Sequence, residues 1–286
     1  MNGLSVWIAG AKGQLGSAIY EILQSEEGVR VLTTDLDVDV ARLEDVISFA
    51  DENRPDVVLN CAGMTDLAKC ERNEEKAYRV NALGARNLSV AARRIEAKLI
   101  HISTDDVFDG TAKCPLTEFD RVNPLTVYGK SKLAGETFVR ELAPRHMIVR
   151  SSWIYGKTKN NFVSYILEEL LTEDTIYVPV DQISTPTSAV DLAKFIVKLI
   201  DSNEYGIYHA SCEGMCSRYE FAKEIVRLSG KKVTIEPHAA GENPSVVNRP
   251  RYTLLDNFMM RVSGIYQMPD WKESLATFME KRIKAD

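Results

Sequence analysis

Tyr128 and Lys132 stand four residues apart in the sequence. On a helix, this spacing places both side chains on the same face. A phenol has a pKa of about 10, and a nearby ammonium group lowers that pKa because it stabilises the phenolate. The spacing therefore predicts a proton donor of adjustable pKa, suited to a carbonyl group that is reduced beside it.

Three glycines follow the first apolar segment in the pattern G-x-x-G-x-x-G, between a predicted strand and a predicted helix. This is the context in which a glycine loop binds a dinucleotide, because the backbone can approach a pyrophosphate closely and the helix N-terminus offers free N–H groups. We therefore predict a nicotinamide cofactor site formed by Gly10, Lys12, Gly13, Gln14, Leu15 and Gly16. With this loop, the Tyr–Lys pair predicts proton and hydride transfer at a carbonyl, and Lys132 is also expected to hold the nicotinamide ribose.

Residues in and after the loop bear on which dinucleotide binds. Asp35 follows the second predicted strand, where its carboxylate would accept hydrogen bonds from the adenosine ribose hydroxyls, which favours NAD. Lys12 would instead meet a 2′-phosphate, which favours NADP. The cofactor is thus NADH or NADPH, and we favour NAD. Asp39 and Val40 either flank the adenine or form a helix N-cap with a packing residue behind it.

The fourth predicted strand ends in the segment 103–106, which reads S-T-D-D. Ligands of a doubly wound sheet sit at the carboxyl ends of its strands. There the Thr104 hydroxyl can hydrogen-bond the oxygen of the reacting carbonyl, although a Ser or Thr at such a place also caps turns. Thr104 is therefore the third candidate catalytic residue.

Apolar segments alternate with helical patterns through the first half of the chain. The predicted strands are 5–9, 29–33, 57–60, 98–103 and 146–151. The predicted helices are 14–24, 43–52 and 128–142, and the range 74–94 is predicted to contain a further long helix. Strands this apolar, separated by helices, predict a parallel sheet covered on both faces. The fold class is therefore α/β, with a Rossmann-like doubly wound parallel sheet.

The second half is more mixed. Its predicted helices are 161–171, 189–201, 217–229 and 271–284, and its shorter predicted strands lie near 175–178, 206–210 and 233–236. We predict a dinucleotide-binding domain over residues 1–155 and a smaller mixed α/β domain, mainly substrate-binding, over residues 156–286. As an alternative, the chain crosses between the two lobes more than once.

The composition argues against several classes of protein. Hydrophobic residues make up 45% and charged residues 27% of the 286 residues, as in ordinary globular proteins, and the net charge of −6 argues against a nucleic-acid binder. No apolar run approaches the roughly 20 residues that span a bilayer, and the N-terminus lacks a signal-peptide pattern. The five cysteines are scattered, which favours reduced thiols over a metal site. We expect a cytoplasmic protein that binds neither nucleic acid nor membrane.

Ordered segments along nearly the whole chain resemble the dTDP-4-dehydrorhamnose reductase family of the extended short-chain dehydrogenase/reductase superfamily. These segments are 13–16 (GQLG), 103–110 (STDDVFDG), 128–136 (YGKSKLAGE), 150–156 (RSSWIYG), 160–162 (NNF), 181–187 (DQISTPT) and 249–250 (RP). The resemblance implies reduction of the 4-keto group of a dTDP-linked deoxysugar, most simply of dTDP-4-dehydro-L-rhamnose to dTDP-L-rhamnose. The family contains both monomers and metal-bridged dimers, so a homodimer is compatible with the resemblance.

The resemblance also implies roles for individual residues. It implies catalysis by Thr104, Tyr128 and Lys132, and a cofactor site lined by Ala62, Gly63 and Met64 after the third strand. It further implies substrate contacts from Thr104, Asp105, Trp153, Asn161 and Arg249, the last two to the nucleotide diphosphate, since an arginine suits bidentate phosphate binding. Without the resemblance, Trp153 would be interpreted as an aromatic core residue.

Two segments depart from the family pattern. Asp106 stands where the family usually has the tyrosine of S-T-D-Y-V-F, and the segment 62–68 (AGMTDLA) replaces A-A-x-T-x-V-D, so that its aspartate is Asp66. Both changes lie near the expected sugar pocket. A carboxylate in place of a phenol removes an aromatic wall and adds a charge, so the exact sugar stays open.

Two other functions remain open at this point. Asp105 and Asp106 resemble the acid and base of sugar-nucleotide dehydratases, with Asp106 one methylene shorter than the usual glutamate. The family also resembles the regulatory subunit of methionine adenosyltransferase, which binds a partner without catalysis. The intact residues Thr104, Tyr128 and Lys132 argue against that second alternative.

Overall fold

A computed structural model describes residues 3–239, 247 and 249–283 of the chain. Its strands are β1 (Leu4–Ala9), β2 (Val29–Thr34), β3 (Val57–Asn60), β4 (Lys98–Thr104), β5 (His146–Ser151), β6 (Ile154–Tyr155), β7 (Thr175–Pro179), β8 (Ile183–Ser184), β9 (Thr187–Ser188), β10 (Gly206–His209), β11 (Cys216–Ser217) and β12 (Thr234–His238). Its helices are α1 (Gln14–Leu23), α2 (Leu43–Asn53), α3 (Leu67–Arg72), α4 (Glu74–Tyr78), α5 (Gly84–Arg94), α6 (Val127–Leu142), α7 (Phe162–Glu169), α8 (Ala189–Asp201), α9 (Arg218–Ser229), α10 (Phe258–Ser263) and α11 (Trp271–Ile283).

Six strands form one sheet in the order β10-β5-β4-β3-β1-β2, and every neighbouring pair in it is parallel. All residues of β3 and β4 are buried, as expected for central strands covered on both faces. The predicted α/β class with a doubly wound parallel sheet is confirmed. Because β2 and β3 lie on opposite sides of β1, the strand order reverses there, which is where such sheets bind ligands.

Side chains of β1 alternate between two hydrophobic cores. Val6 and Ile8 pack into the core that contains α1 and α8, whereas Trp7 and Ala9 pack into the core that contains α2 and α5. All four side chains are fully buried, and burial of a residue of the size of Val or Ile contributes about 1.5–3 kcal/mol. These two layers hold the carboxyl ends of the strands in fixed positions.

The second half of the chain returns to the large sheet. Its strand β10 pairs with β5 at the sheet edge, and its helix α8 packs against α1. The other strands of this half form the two-stranded pairs β12–β7, β11–β8 and β6–β9. The division into domains at residues 155 and 156 stays a prediction. The residues after it supply both a strand and a covering helix to the six-stranded sheet.

Most predicted elements are present, with ends within two residues of those predicted, and the predicted end of α11 at Lys284 lies outside the described residues. The long helix predicted within 74–94 is present as α5, and a π-helical turn, Arg79–Leu83, joins it to the shorter α4. Such turns often occur at functional sites. The short helices α3 and α10 and the two-residue strands were not predicted, since they carry too few residues to show a periodicity.

Across residues 3–239, 247 and 249–283, none of the helices combines the length and the hydropathy that crossing a membrane requires.

Candidate active site

The glycine loop joins β1 to α1 at the point where the strand order reverses. Gly10 has a positive φ of 84°, and a Cβ on it would lie 2.6 Å from the backbone nitrogen of Ala62. A Cβ on Gly16 would collide with the Gly10 carbonyl oxygen, whereas Gly13 has ordinary van der Waals space. Gly10 and Gly16 are therefore required for the loop to lie close against the segment after β3.

The N-terminus of α1 is free to bind an anion. Its N-cap, Gly13, provides no side-chain cap, so the first-turn N–H groups have no partner from it. The Leu15 side chain is buried in the core, which leaves its backbone to face a ligand. Gln14 donates a hydrogen bond to the Thr158 carbonyl oxygen at 2.8 Å, and it thereby ties the loop to the second half of the chain. This loop fits the pyrophosphate of a dinucleotide.

The two residues that bear on cofactor choice contact each other. The Lys12 backbone N–H donates to the Asp35 carboxylate at 3.0 Å, while the Lys12 side chain is exposed. Asp39 accepts a hydrogen bond from the Ala41 backbone, and Val40 is buried. Since α2 begins only at Leu43, Asp39 is not the N-cap that one of the two sequence interpretations predicted. Asp39 instead stabilises the turn before that helix.

The segment after β3 is held by an asparagine that the sequence motifs did not single out. Asn81 lies in the π-helical turn, accepts from the Met64 N–H at 2.8 Å and donates to the Met64 carbonyl oxygen at 3.1 Å. The same amide group donates to the Ser131 hydroxyl on α6 at 2.9 Å. Asn81 thus fixes the predicted cofactor segment, Ala62 to Met64, relative to the helix that carries Tyr128 and Lys132. No local signal in the sequence indicated this role of Asn81, because the π-helical turn that carries it is visible only in the structure.

Thr104 ends β4 and faces the helix α6. Its hydroxyl accepts from the Asp106 N–H at 3.2 Å and donates to the Asp105 carboxylate at 3.2 Å. It also lies close enough to the Tyr128 phenol to lower the pKa of that phenol. Thr104 therefore caps a turn, as the sequence suggested, and the structure also places it beside Tyr128.

Tyr128 is half-buried near the N-terminus of α6. Burial and the neighbouring Asp106 carboxylate raise the pKa of its phenol above the ordinary value. This direction is opposite to the one predicted from the Tyr–Lys spacing. The reason is that the ammonium of Lys132 contacts a backbone carbonyl, while carboxylates lie beside the phenol.

Lys132 is buried and its Nζ donates a short hydrogen bond to the Ile102 carbonyl oxygen on β4. Burial lowers the pKa of the ammonium to about 8, and the charges of Glu136 and Cys61 oppose that effect. The ammonium thus lies near the carboxyl end of β4, beside the residues that follow β3. There its remaining N–H groups could donate hydrogen bonds to a bound ribose.

A buried ion pair holds α6 against the sheet. Glu136 accepts two hydrogen bonds from Arg150 on β5, at 2.9 and 2.7 Å, and a third from Ser103 at 2.6 Å. We call Ser103, Glu136 and Arg150 the helix anchor. Glu136 follows Lys132 by one helical turn, and this spacing was the available signal in the sequence.

Asp105 and Asp106 bring two carboxyl groups into the site. Asp105 accepts hydrogen bonds from Thr253 and from Ser184, the latter at 3.3 Å. In the described part of the chain, the Asp106 carboxylate accepts no hydrogen bond, although only 8% of the residue is exposed. Burial raises the pKa of both acids, and the pKa of Asp105 is raised further by the Asp106 charge.

Trp153 and Arg218 form a stack at the same site. Trp153 has a positive φ of 44°, and the Arg218 guanidinium carbon lies 3.7 Å from the centre of its ring. Burial and the nearby Arg249 charge lower the pKa of Arg218 to about 9. The sequence motifs missed Arg218, because nothing near it in sequence indicates a ligand. We call Asp105, Asp106, Arg218 and Arg249 the Asp–Arg cluster.

Arg249 and Asn161, the two residues predicted to contact the diphosphate, have different surroundings in the structure. Arg249 is half-buried, and its charge acts on Asp105, Asp106 and Tyr128. Asn161 caps α7 by accepting from the Ser164 N–H, and it donates to the Gly156 and Thr158 carbonyl oxygens. The donors of Asn161 are therefore already used within its own loop.

Within the described ranges, no three or more His, Cys, Asp and Glu side chains are grouped so that they could hold a metal ion.

Comparison with known proteins gives the family. A family model described as the RmlD substrate binding domain matches residues 4–283. The Bacillus subtilis spore coat polysaccharide biosynthesis protein SpsK is 36% identical over 280 residues, which are 98% of each chain. A solved dTDP-4-dehydrorhamnose reductase from Clostridium acetobutylicum is 44% identical with a TM-score of 0.94, over 97% of this chain and 99% of that one. Another from Bacillus anthracis, in complex with NADP, is 39% identical with a TM-score of 0.95, over 98% and 100%. The chain therefore belongs to the dTDP-4-dehydrorhamnose reductase family, as its motifs predicted.

Proposed function

We propose that this protein reduces the 4-keto group of a dTDP-linked deoxysugar with NADH or NADPH, most simply dTDP-4-dehydro-L-rhamnose. The observation that carries the proposal is that Thr104, at the end of β4, lies beside the Tyr128 phenol, while the Lys132 ammonium is bound to the Ile102 carbonyl oxygen of the same strand. In this proposal, the carboxyl ends of the strands offer a proton donor, an oxygen-orienting hydroxyl and a dinucleotide site together. Family membership supports the same reaction.

Each of the three side chains has a separate task. When bound, the reduced nicotinamide supplies a hydride, which goes to C4 of the sugar as the carbonyl π bond breaks. Tyr128 donates its phenolic proton to the carbonyl oxygen, and its high pKa makes it a well-populated donor at neutral pH. The Thr104 hydroxyl orients that oxygen. Lys132 would donate hydrogen bonds to the ribose hydroxyls of the cofactor from its place beside the Ile102 carbonyl oxygen.

The substrate is proposed to lie between Tyr128 and the Asp–Arg cluster. Asp105 would accept hydrogen bonds from sugar hydroxyls, and the Trp153 ring would cover the sugar. Arg249 would donate to the diphosphate, because a guanidinium matches phosphate oxygens in a bidentate manner. Asn161 is proposed to help through its backbone position, since its side-chain donors are engaged by Gly156 and Thr158.

The decisive test is oxidation of NADH and of NADPH by the purified protein with dTDP-4-dehydro-L-rhamnose. We expect cofactor oxidation with equal formation of dTDP-L-rhamnose, identified by chromatography and NMR. A parallel assay with dTDP-4-keto-6-deoxy-D-glucose measures how strictly the sugar is selected. Retained cofactor binding without oxidation on either substrate would contradict reduction and favour a non-catalytic regulatory subunit.

A dehydratase is the second candidate, favoured by the position of the Asp106 carboxylate beside Tyr128. In that reaction the two acids, Asp105 and Asp106, would remove water from a nucleotide hexose. Incubation with dTDP-glucose and no added cofactor separates the two functions. A 4-keto-6-deoxy product would support the dehydratase, and its absence supports the reductase.

We further propose that the protein acts in the cytoplasm, where its substrate would be made. A homodimer also stays a prediction, which sedimentation of the purified protein with and without Mg²⁺ would test. A change of mass with Mg²⁺ would favour a metal-bridged dimer.

A further inference from the structure

Arg218 is a charged side chain that the protein buries in an aromatic setting. It is the first residue of α9 and only 7% exposed. Its guanidinium carbon lies 3.7 Å from the centre of the Trp153 ring and 4.7 Å from that of Phe162. At these distances, the flat guanidinium covers both rings and gains cation–π attraction. The two aromatic rings thus hold the guanidinium in place by contacts that do not use its N–H donors.

Those donors find no acceptor among the described residues. The backbone N–H of Arg218 donates to the Gln182 carbonyl oxygen at 3.0 Å, which ties the start of α9 to the segment before β8. Asp105 and Asp106 attract it through space but make no ion pair with it in the described structure. Arg218 therefore carries a buried positive charge at this site, and its N–H donors suit a ligand that supplies oxygen acceptors.

The charges around Arg218 indicate what that ligand is. Among neighbouring charges, Arg249 acts most strongly on Arg218, and it is also positive. Asp105 and Asp106 face the same two guanidinium groups, but burial raises the pKa of both acids and so weakens their compensation of the positive charge. A ligand group with more than one negative charge would complete that compensation. A diphosphate has this charge and enough oxygens for two bidentate contacts.

We propose that Arg218 binds the diphosphate of a nucleotide sugar together with Arg249, which makes it a second diphosphate-binding residue held flat by Trp153. This inference rests on the proposed function for the identity of the ligand, but not on turnover. The strained backbone of Trp153, with its φ of 44°, fits a ring that must be held in place beneath this guanidinium.

The test compares ligands that differ only in the diphosphate. Binding of dTDP, UDP and thymidine is measured by calorimetry with NADP⁺ present, for the wild type, Arg218→Lys and Arg218→Met. Arg227→Gln is the matched control, because Arg227 lies on the same helix but is exposed and paired with Glu224. We expect both Arg218 variants to weaken dTDP and UDP binding about tenfold or more, since a lysine cannot make the bidentate contact. Thymidine should bind to both Arg218 variants within about twofold of its wild-type affinity. The control variant should bind all three ligands within about twofold of the wild type.

Several outcomes would overturn the proposal. Equal weakening of thymidine and dTDP would mean that Arg218 only shapes the pocket, and unchanged dTDP binding would mean that it does not touch the ligand. A separate titration with NADP⁺ alone completes the test, because a loss of NADP⁺ affinity with unchanged dTDP binding would assign Arg218 to the cofactor phosphates instead. Arg218→Met keeps the unbranched stem over Trp153, so a variant that folds is available even if the lysine variant does not. Because none of these measurements needs turnover, failure of the reductase assay leaves this test intact.

Discussion

The helix anchor and the Asp–Arg cluster are both groups of buried charges, but they differ in how those charges are satisfied. In the helix anchor, the Glu136 carboxylate receives three hydrogen bonds and its arginine partner is almost fully buried. In the Asp–Arg cluster, Asp106 and Arg218 are nearly as buried but make no side-chain hydrogen bonds within the described residues. The helix anchor is thus satisfied by partners within the protein, whereas the charges of the Asp–Arg cluster lie where the proposed ligand would bind.

The largest expected effect is on turnover, beside the Asp–Arg cluster. Tyr128→Phe removes the proton donor, so kcat should fall by roughly 10²–10⁴-fold, the range for losing a general acid. Steady-state NAD(P)H oxidation measures this, while cofactor affinity and unfolding free energy should be nearly unchanged. Tyr165→Phe is the control, because Tyr165 is exposed on α7. Near-normal turnover of Tyr128→Phe would remove Tyr128 from the chemistry.

The next effect is on stability, in the helix anchor. Glu136→Ala leaves the Arg150 charge buried without its partner, so we expect a loss of about 3–5 kcal/mol in the free energy of unfolding. Urea denaturation measures it. The control Glu21→Ala breaks the exposed pair with Lys157 and should cost no more than about 1 kcal/mol. Equal losses in both variants would mean that the helix anchor is not what holds α6 to the sheet.

The same contrast explains how much of the site the sequence could predict. The glycine loop, Thr104 and the Tyr–Lys pair were predicted because each depends on local spacing within one strand end or helix turn. Asn81 and Arg218 were missed, because their roles arise from contacts with segments far away in the chain. The raised pKa of Tyr128 was missed for the same reason, since it follows from burial and from carboxylates outside its own helix.

A smaller effect is expected at Asp106, where removing the charge should stabilise the folded protein and not destabilise it. The pKa of Asp106 is raised in the folded protein, so the folded state binds a proton that the unfolded state releases, and stability falls as pH rises through the folded pKa. Asp106→Asn should therefore be more stable than the wild type at pH 8, by about 1–3 kcal/mol. The difference should shrink as pH falls below the unfolded-state pKa of about 3.9, where the wild-type acid becomes protonated in both states. Urea denaturation of both proteins across this pH range measures it.

Asp109 provides the control of opposite sign. Hydrogen bonds from Asn123 and Thr111 lower the pKa of Asp109, so its carboxylate stabilises the folded state above its unfolded pKa and loses that contribution as pH falls. Asp109→Asn should thus be less stable than the wild type at neutral pH. If Asp106→Asn were also destabilised at pH 8, the Asp106 carboxylate would have to be satisfied without a ligand.

The smallest effect is expected where the charges are open to water, at the cofactor loop. Lys12 is exposed and Asp35 is only partly covered. Each should therefore add to cofactor affinity no more than about one hydrogen bond that is weakened by water. Lys12→Ala should raise the KM for NADPH about 3- to 10-fold and leave that for NADH unchanged, while Asp35→Ala should do the reverse. Initial rates with both cofactors measure the two ratios. If Lys12→Ala raised both KM values equally, its ammonium would contact the pyrophosphate that the two cofactors share. Cofactor choice would then depend on Asp35 alone, whose carboxylate the Lys12 backbone N–H already holds at the carboxyl end of β2.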